Sequence, residues 1–427
     1  MTVAGGGESQ KTPALGLFSW CLYDWANSAF PTVITTFVFS AYFTEAIATD
    51  KITGTSQWGY AISLSGLSVA LLSPLFGAVA DHGGRRKPWL FLFTLLCIGA
   101  SALLWLARPD AAYVIIALTL AALANFAFEM AMVFYNAMLP DLVPRQRIGR
   151  LSGWGWGLGY AGGLVCLGLT LVLLVQTETP IFGLDKESFE HIRATGPMVA
   201  IWMAVFAAPF FLWTPDRPDQ GISFAAALKR GIATLIDTFR QVREYNQIVR
   251  FLIARMMYTE GLNTLFAFGG IYAAGTFGME FDELILFGIA LNVTAGLGAA
   301  AFAWVDDQIG PKRTILIAVT GLAVLGAVLL FVEGKALFWT FALPLGIFVG
   351  PAQAASRTMM ARLAPPRMMT EMFGLYALSG KATAFLGPAL LAWMTIVFAN
   401  QRAGMAVIMV FFLLGLVLLI GVADKRD

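Results

Sequence analysis

Long apolar stretches separated by short polar ones dominate the chain, and this pattern predicts helices that cross a membrane. The hydrocarbon core of a bilayer is roughly 30 Å thick, so a spanning helix needs about 20 apolar residues. Twelve stretches approach or exceed that length, and a polar segment at 214–247 divides them six to six. The expected fold class is therefore an all-α integral membrane protein with twelve transmembrane helices. The predicted spans are 17–44, 57–80, 88–107, 111–139, 150–175, 196–213, 248–276, 283–305, 314–332, 336–361, 372–398 and 403–423.

Composition supports this class and excludes others. Hydrophobic residues make up 58% of the 427 positions and charged residues only 13%. Charged residues are about a quarter of an ordinary soluble domain, so we expect the lipid bilayer as a partner. The net charge of +2 is too small to indicate nucleic acid as a partner.

Neither the cysteines nor the histidines form a pattern that indicates a metal site. The cysteines lie inside apolar stretches, the histidines lie far apart, and none has a neighbour at ligand spacing. We also find no nucleophile with a base at a suitable spacing, so we expect no enzyme activity, no metal and no cofactor. The residues are Cys21, Cys97, Cys166, His82 and His191.

The distribution of basic residues predicts the orientation. Of the 28 lysines and arginines, 20 fall on the side that carries the termini and segment 214–247, and six fall on the other. Basic residues accumulate on the cytoplasmic side of membrane proteins. We therefore expect a multi-pass protein of the cell inner (cytoplasmic) membrane with both termini in the cytoplasm. The predicted domains are an N-terminal six-helix bundle at 1–213, a cytoplasmic linker at 214–247 and a C-terminal six-helix bundle at 248–427.

The linker contains a pattern typical of an amphipathic helix. Phe224, Leu228 and Ile232 recur at helical spacing, and Lys229 and Arg230 lie between them. Such a helix either lies on the inner membrane face or packs on the bundle as an ordinary connection. The sequence leaves both interpretations open.

Two loops repeat one spacing pattern, which indicates that the halves are related. The first runs Gly77-x3-Asp81-x2-Gly84-Arg85-Arg86-Lys87 after the second predicted helix. The second runs Ala303-x3-Asp307-x2-Gly310-Pro311-Lys312-Arg313 after the eighth. Parallel repeats of six helices are the internal symmetry of one large class of transporters.

The first loop resembles the signature loop of the major facilitator superfamily, with His82 where members often have arginine. The resemblance implies two pseudo-symmetric six-helix bundles and a latch between them on the cytoplasmic side. Asp81 can pair with a base or cap a neighbouring helix. The alternative role of the loop is a simple basic anchor. The predicted cytoplasmic gate residues are Gly77, Asp81, Gly84, Arg85, Arg86, Asp307 and Gly310.

A narrower resemblance lies in the first predicted helix and in the tenth and eleventh. Tyr23-Asp24-Trp25-Ala26-Asn27-Ser28-Ala29-Phe30 is similar to the opening helix of the autophagy-related vacuolar amino-acid effluxer family and its bacterial relatives. Ser356-Arg357, Glu371, Phe373-Gly374-Leu375-Tyr376 and Ser379-Gly380-Lys381 resemble that family's helices 10 and 11. The resemblance implies a small amphipathic solute such as an amino acid, moved by efflux or proton-linked exchange.

Polar residues deep in the first and fourth predicted helices are candidates for the transport cavity. Charges inside a membrane are costly and usually face a cavity or a partner. Asp24 and Asn27 share one face of the first helix, where the alternative role is a structural hydrogen bond. Asn125 and Glu129 share a face of the fourth. Glu129 is the candidate for proton coupling, and the alternative is a static salt bridge.

Three further candidates come from the second half. Arg255 and Glu260 lie in the seventh predicted helix, and Arg255 is close enough to the cytoplasmic end to reach it. Lys381 lies near mid-depth in the eleventh, either in the cavity or paired with an acid such as Glu129 or Glu260. We interpret Arg357 as structural because it lies near a helix end.

These features predict a secondary active transporter of a small solute that works by alternating access. Possible activities include proton-coupled efflux of amino acids or similar amphipathic metabolites, with protons as the coupling ion. The alternative is a lipid flippase or a transporter-like membrane sensor. We expect the protein to act as a monomer.

Overall fold

The computed structural model describes residues 12–240 and 244–423; both chain termini, whose cytoplasmic placement was predicted, lie outside these ranges. Helix accounts for 85% of the structure, and the described residues contain no strand. Twelve helices of the described residues are long enough to span a membrane, which confirms the expected fold class. They are α1 Ala14–Ile47, α2 Lys51–Gly83, α3 Lys87–Leu106, α4 Ala111–Leu142, α5 Arg145–Val175, α6 Glu190–Trp213, α7 Asn246–Phe277, α8 Phe281–Ile309, α9 Pro311–Leu329, α10 Lys335–Leu363, α11 Pro366–Phe398 and α12 Gln401–Ile420.

Helix α7 differs from the rest in polarity. Eleven described helices are both long and apolar enough to cross a membrane, and α7 is not among them. Its 32 residues correspond to roughly 48 Å at 1.5 Å per residue, which is sufficient length. Arg250, Arg255 and Glu260 lower its hydropathy. A helix of this polarity needs protein or water on its polar side.

Helix α2 extends beyond its predicted apolar span because a side-chain cap, and not hydropathy, sets where it begins. The second span was predicted from residue 57, yet α2 begins at Lys51. The Asp50 carboxylate accepts hydrogen bonds from the backbone N–H groups of Ile52 and Thr53, both at 3.0 Å. This N-cap starts the helix six residues before the apolar stretch.

The linker helix is Phe224–Arg240, and one of its faces packs on α2. The Thr234 hydroxyl hydrogen-bonds His82 Nε2 at 2.8 Å, and Gly231 lies against the backbone of Val79. Ile232 and other apolar side chains on a second face are exposed. The helix therefore packs on the bundle and also presents an uncovered apolar face, and its position relative to the membrane stays a prediction.

Two membrane helices are irregular near their middle. Helix α1 continues past Asn27 through the wider turns of a π-helix at Phe30–Phe37, which contains Pro31. Helix α11 consists of two segments, Met369–Lys381 and Leu386–Phe398. They are joined by turns in which the N–H groups of Ala384 and Leu386 donate to the carbonyls three residues earlier. Prolines and π-turns are common causes of such bends.

Two long contacts join the six helices before the linker to the six after it. Helix α2 packs along α11, and α5 packs along α8. Each contact joins the second helix of one half to the fifth helix of the other, as the repeat in the sequence suggests. The division into two bundles that move separately remains a prediction.

Candidate transport cavity and gate

A cavity of about 240 Å³ lies between the two sets of helices. Its wall is formed by residues of α4 and α5 from the first half and α7, α10 and α11 from the second. The wall carries four charged side chains, which are Glu129, Arg255, Arg357 and Lys381. Charges of both signs in a small enclosed space fit recognition of a small polar solute.

An ion pair connects the halves across the cavity wall. Lys381 Nζ on α11 lies 2.7 Å from Glu129 Oε1 on α4. The side chains are 34% and 22% exposed, so both reach the cavity. The sequence predicted that Lys381 could pair with an acid such as Glu129 or Glu260, and the structure places Lys381 beside Glu129.

A second ion pair between the halves is fully buried. Arg357 Nη1 on α10 lies 3.1 Å from Asp24 Oδ2 on α1. The Tyr135 hydroxyl donates to the same carboxylate oxygen at 2.9 Å. The guanidinium also donates to the Ser152 hydroxyl and carbonyl and to the Asn136 amide oxygen. This network satisfies Arg357, so the pair holds α1, α4, α5 and α10 together.

Among the described residues of the cavity wall, Arg255 is the cation without an acid partner. Its guanidinium stacks 3.5 Å from the centre of the Tyr376 ring. Nη1 donates to the Tyr376 carbonyl and to the Ser379 hydroxyl, both at 2.7 Å. Among the described residues no carboxylate lies within ion-pair distance of it, and its buried Nε has no hydrogen-bond partner. The indole N–H of Trp156, also on the wall, has none either.

Four of the seven predicted cavity residues are not among those that line it. Asp24 lies behind Arg357, and Asn27 donates to the Met132 sulfur at 3.2 Å. Asn125 donates to the Ser65 hydroxyl at 2.9 Å, although it shares a helix face with Glu129. Glu260 is buried against the start of the second segment of α11. The structure thus buries these four side chains against neighbouring helices and not on the wall of this cavity, and their role in transport stays a prediction.

Asp81 caps the beginning of α11 from the end of α2. Its carboxylate accepts the Thr370 N–H at 2.8 Å, the Thr370 hydroxyl at 2.7 Å and the Glu371 N–H at 2.9 Å. Arg86 lies 3.4 Å from the same carboxylate and also pairs with Asp141. Asp81 therefore does both things that the sequence allowed, since it pairs with a base and caps a neighbouring helix.

One glycine allows the close approach of α2 to α11, and another forms the turn after α2. A Cβ on Gly77 would lie 2.5 Å from the Thr370 carbonyl oxygen, so only glycine lets α2 and α11 touch there. Gly84 has a φ of +87°, which ends α2 in a tight turn. Arg85, by contrast, is exposed and lies only 3.8 Å from Asp219 in the linker. Its contact is with the linker, and its place in the gate stays a prediction.

The equivalent loop of the second half makes a similar contact. Asp307 at the end of α8 accepts the Arg150 N–H at 3.0 Å, and its other oxygen lies 3.3 Å from Arg150 Nε. Gly310 has a φ of +88° and forms the turn that follows α8. The two loops thus bind the beginnings of α11 and α5, which are equivalent positions in the repeat.

Sequence comparison identifies the family. Residues 45–427 match the family model described as vacuole effluxer Atg22 like. The chain belongs to this family. It is similar to an uncharacterized MFS-type transporter YxiO of Bacillus subtilis, with 27% identity over 96% of this chain and 95% of that protein. Autophagy-related protein 22 of Coccidioides immitis is 24% identical over 79% of this chain and 67% of its own length.

Solved structures support the fold. The proton:xylose symporter XylE, a major facilitator superfamily (MFS) protein, superposes with a TM-score of 0.71 at 13% identity and covers 94% of each chain. The MFS transporter FucP in its outward conformation gives 0.69 at 13% identity over 96% of this chain and 98% of that one. This Atg22-like protein is therefore a multi-pass membrane transporter with the major facilitator fold.

Sequence reasoning missed Arg357 as part of the site. Its position close to the end of a predicted span indicated a structural residue. The structure buries it completely, with the side chain 1% exposed, on the cavity wall. One signal was present, since Ser356-Arg357 belongs to the sequence block that resembles the effluxer family.

Proposed function

We propose that this chain is a secondary active transporter that moves amino acids or similar small amphipathic metabolites by alternating access. The proposal includes efflux coupled to protons through Glu129. The observation that carries it is an unpaired Arg255 on a cavity wall that also holds a Glu129–Lys381 ion pair between the halves.

Arg255 supports a carboxylate-bearing solute. An arginine binds a carboxylate through two parallel hydrogen bonds, and this geometry is favoured when no protein acid competes for it. Stacking on Tyr376 fixes the plane of the guanidinium before the solute arrives. The cavity volume of about 240 Å³ is below the roughly 300–1,000 Å³ of typical ligand sites, which favours a small solute.

The Glu129–Lys381 pair supports proton coupling. Alternating access requires the halves to separate around the central site, and this ion pair joins them. A carboxylate that loses its cation in a low-dielectric site is stabilised by taking up a proton or by pairing with a cationic group of the solute. Glu129 would then exchange Lys381 for a proton or for the solute's ammonium group during each cycle.

The two loop contacts support gating on the side of the linker. Asp81 and Asp307 each hold a loop of one half against the beginning of a helix in the other. Both contacts must open for a solute to leave on that side. Together with the basic residues there, they support a gate that faces the cytoplasm, in an inner membrane with both termini cytoplasmic.

The proposal is tested by binding and by transport in vesicles. Purified protein is screened by thermal shift against amino acids, organic acids without an amine, and amines without a carboxylate. We expect stabilisation by amino acids, and loss of that effect in Arg255→Gln. Arg402→Gln is the matched control, because Arg402 binds the carbonyls of Leu330 and Val332 away from the cavity. Stabilisation by amines alone would contradict the carboxylate role of Arg255.

Glu129→Gln separates coupling from binding. The glutamine keeps the shape of the protonated side chain, so we expect solute exchange to continue while accumulation on a proton gradient is lost. Accumulation equal to that of the parent protein would show that Glu129 does not carry the coupling proton.

A further inference from the structure

The break in α11 lies between Lys381, which ends the first segment, and the contact that the second segment makes with Glu260 of α7. The first segment ends at Lys381, and the second begins at Leu386. Gly387 and Pro388 disfavour an uninterrupted helix at this point. Proline has no N–H to bond the carbonyl four residues earlier, and its ring pushes that carbonyl away.

Glu260 of α7 caps the second segment. Its Oε1 accepts the Gly387 N–H at 2.7 Å, one of the first N–H groups of a helix, which have no partner within it. A carboxylate at this end also interacts favourably with the helix dipole. The side chain is 1% exposed, and no lysine or arginine among the described residues forms an ion pair with it.

The packing around this cap leaves little freedom. A Cβ on Gly387 would lie 2.8 Å from Glu260 Oε1 and would overlap the Thr264 hydroxyl of the same helix, α7. Only glycine permits so close an approach of the second segment to α7. The beginning of that segment is therefore fixed to α7 by both a hydrogen bond and shape.

Lys381 occupies the other side of the break. A cation is favoured at the carboxyl end of a helix, where Lys381 closes the first segment. From there its ammonium group reaches Glu129 on α4 at 2.7 Å. The position of the Lys381 ammonium group depends on where the first segment of α11 ends. That end depends in turn on how the second segment is fixed to α7.

We propose that Glu260 is a positioning residue that holds the break in α11 and thereby places Lys381 against Glu129. The inference rests on the proposed function only for its consequence, since that function makes the Lys381–Glu129 pair part of the transport cycle. Its structural content can be measured without any solute. If the transport assays contradicted the proposed function, the measured distance between positions 129 and 381 would still test the role of Glu260.

The test measures how closely positions 129 and 381 approach. The native cysteines Cys21, Cys97 and Cys166 are buried and are first replaced by alanine. Glu129→Cys and Lys381→Cys are then introduced together, and the protein is placed in lipid nanodiscs. Bifunctional thiol reagents of graded length are compared, and the one that joins the two cysteines fastest is used in all variants.

Glu260→Ala should lower the rate of this cross-link by about tenfold, because it removes a charge-assisted buried hydrogen bond. Glu260→Gln should recover most of the rate, since its amide oxygen can accept the same N–H. Asp50→Ala is the matched control, because Asp50 also caps a helix but lies at the exposed beginning of α2. It should lower the unfolding temperature and leave the cross-link unchanged.

A cross-linking rate within twofold of the parent in Glu260→Ala would overturn the proposal. So would an equal loss in Asp50→Ala, which would indicate general destabilisation. If Glu260→Ala does not fold, Glu260→Asp takes its place. Its side chain is one methylene shorter and should slow the cross-link several-fold, and an unchanged rate there would also overturn the proposal.

Discussion

Replacing Asp81 by alanine should open the contact between α2 and α11. The carboxylate is 4% exposed and accepts three hydrogen bonds from the first residues of α11. Its removal leaves those donors unsatisfied and takes one of two acids from the buried Arg86. In the part of the chain that the structure describes, no other side chain accepts from these N–H groups, so the closed arrangement loses free energy while the open one does not.

The magnitude follows from these contacts. Loss of a helix cap costs about 1 kcal/mol, and breaking a buried ion pair costs about 3–5 kcal/mol when the partner is left alone. Arg86 keeps Asp141 and the Ala137 carbonyl, so the loss of this ion pair costs less than that range, about 1–2 kcal/mol. We expect a loss of about 2–3 kcal/mol, which shifts the closed-to-open ratio by about 30- to 150-fold.

Distances between spin labels measure that ratio directly. Labels on Arg85→Cys and Arg367→Cys report on the two halves, because both positions are exposed on the gate side. The parent should show mainly a short distance, and Asp81→Ala should add a dominant longer one. Asp81→Asn should be intermediate, since one oxygen still accepts. Identical distance distributions in the parent and Asp81→Ala would refute the reasoning, and Asp50→Ala controls for loss of a cap elsewhere.

Three further predictions follow from named contacts. Gly77→Ala should also favour the long distance, because its Cβ would lie 2.5 Å from the Thr370 oxygen; a short distance only would contradict this. Asp24→Asn should lower the unfolding free energy by about 3 kcal/mol, because it leaves Arg357 buried without its acid. Adding Arg357→Gln to the same chain should recover part of this loss, whereas strictly additive losses would argue against coupling between the two residues. A cysteine at Ala233 should resist an impermeant thiol reagent in intact cells and react after permeabilisation, and one at Lys186 should react in both; the reverse pattern would invert the predicted topology.

Local properties of the sequence predicted most of the fold. The number of apolar stretches and their length predicted twelve helices, because a helix in lipid must satisfy its own backbone over the full thickness of the bilayer. The spacing from Gly77 to Lys87 predicted a tight turn with an acid able to cap a neighbouring helix. Asp81 does this in the structure.

The candidate site was predicted only in part. Periodicity along α4 identified Glu129 as a side chain on a polar face, and the structure places it on the cavity wall. The same periodicity placed Asn125 beside it, although Ser65 of α2 covers that turn. The depth of a residue in its span indicated that Arg357 was structural, yet it lies on the wall and pairs with Asp24.

The sequence by itself determined that this protein spans a membrane with twelve helices, that its halves repeat one loop, and that acids and bases lie deep within the spans. These properties depend on the length and polarity of continuous segments. Only the tertiary structure decided that Lys381 pairs with Glu129, that Asp24 is behind Arg357, and that Glu260 caps a broken helix. Asp24 and Arg357 are 333 positions apart, and which of many deep charges meet depends on how whole helices pack, a property that no local pattern contains.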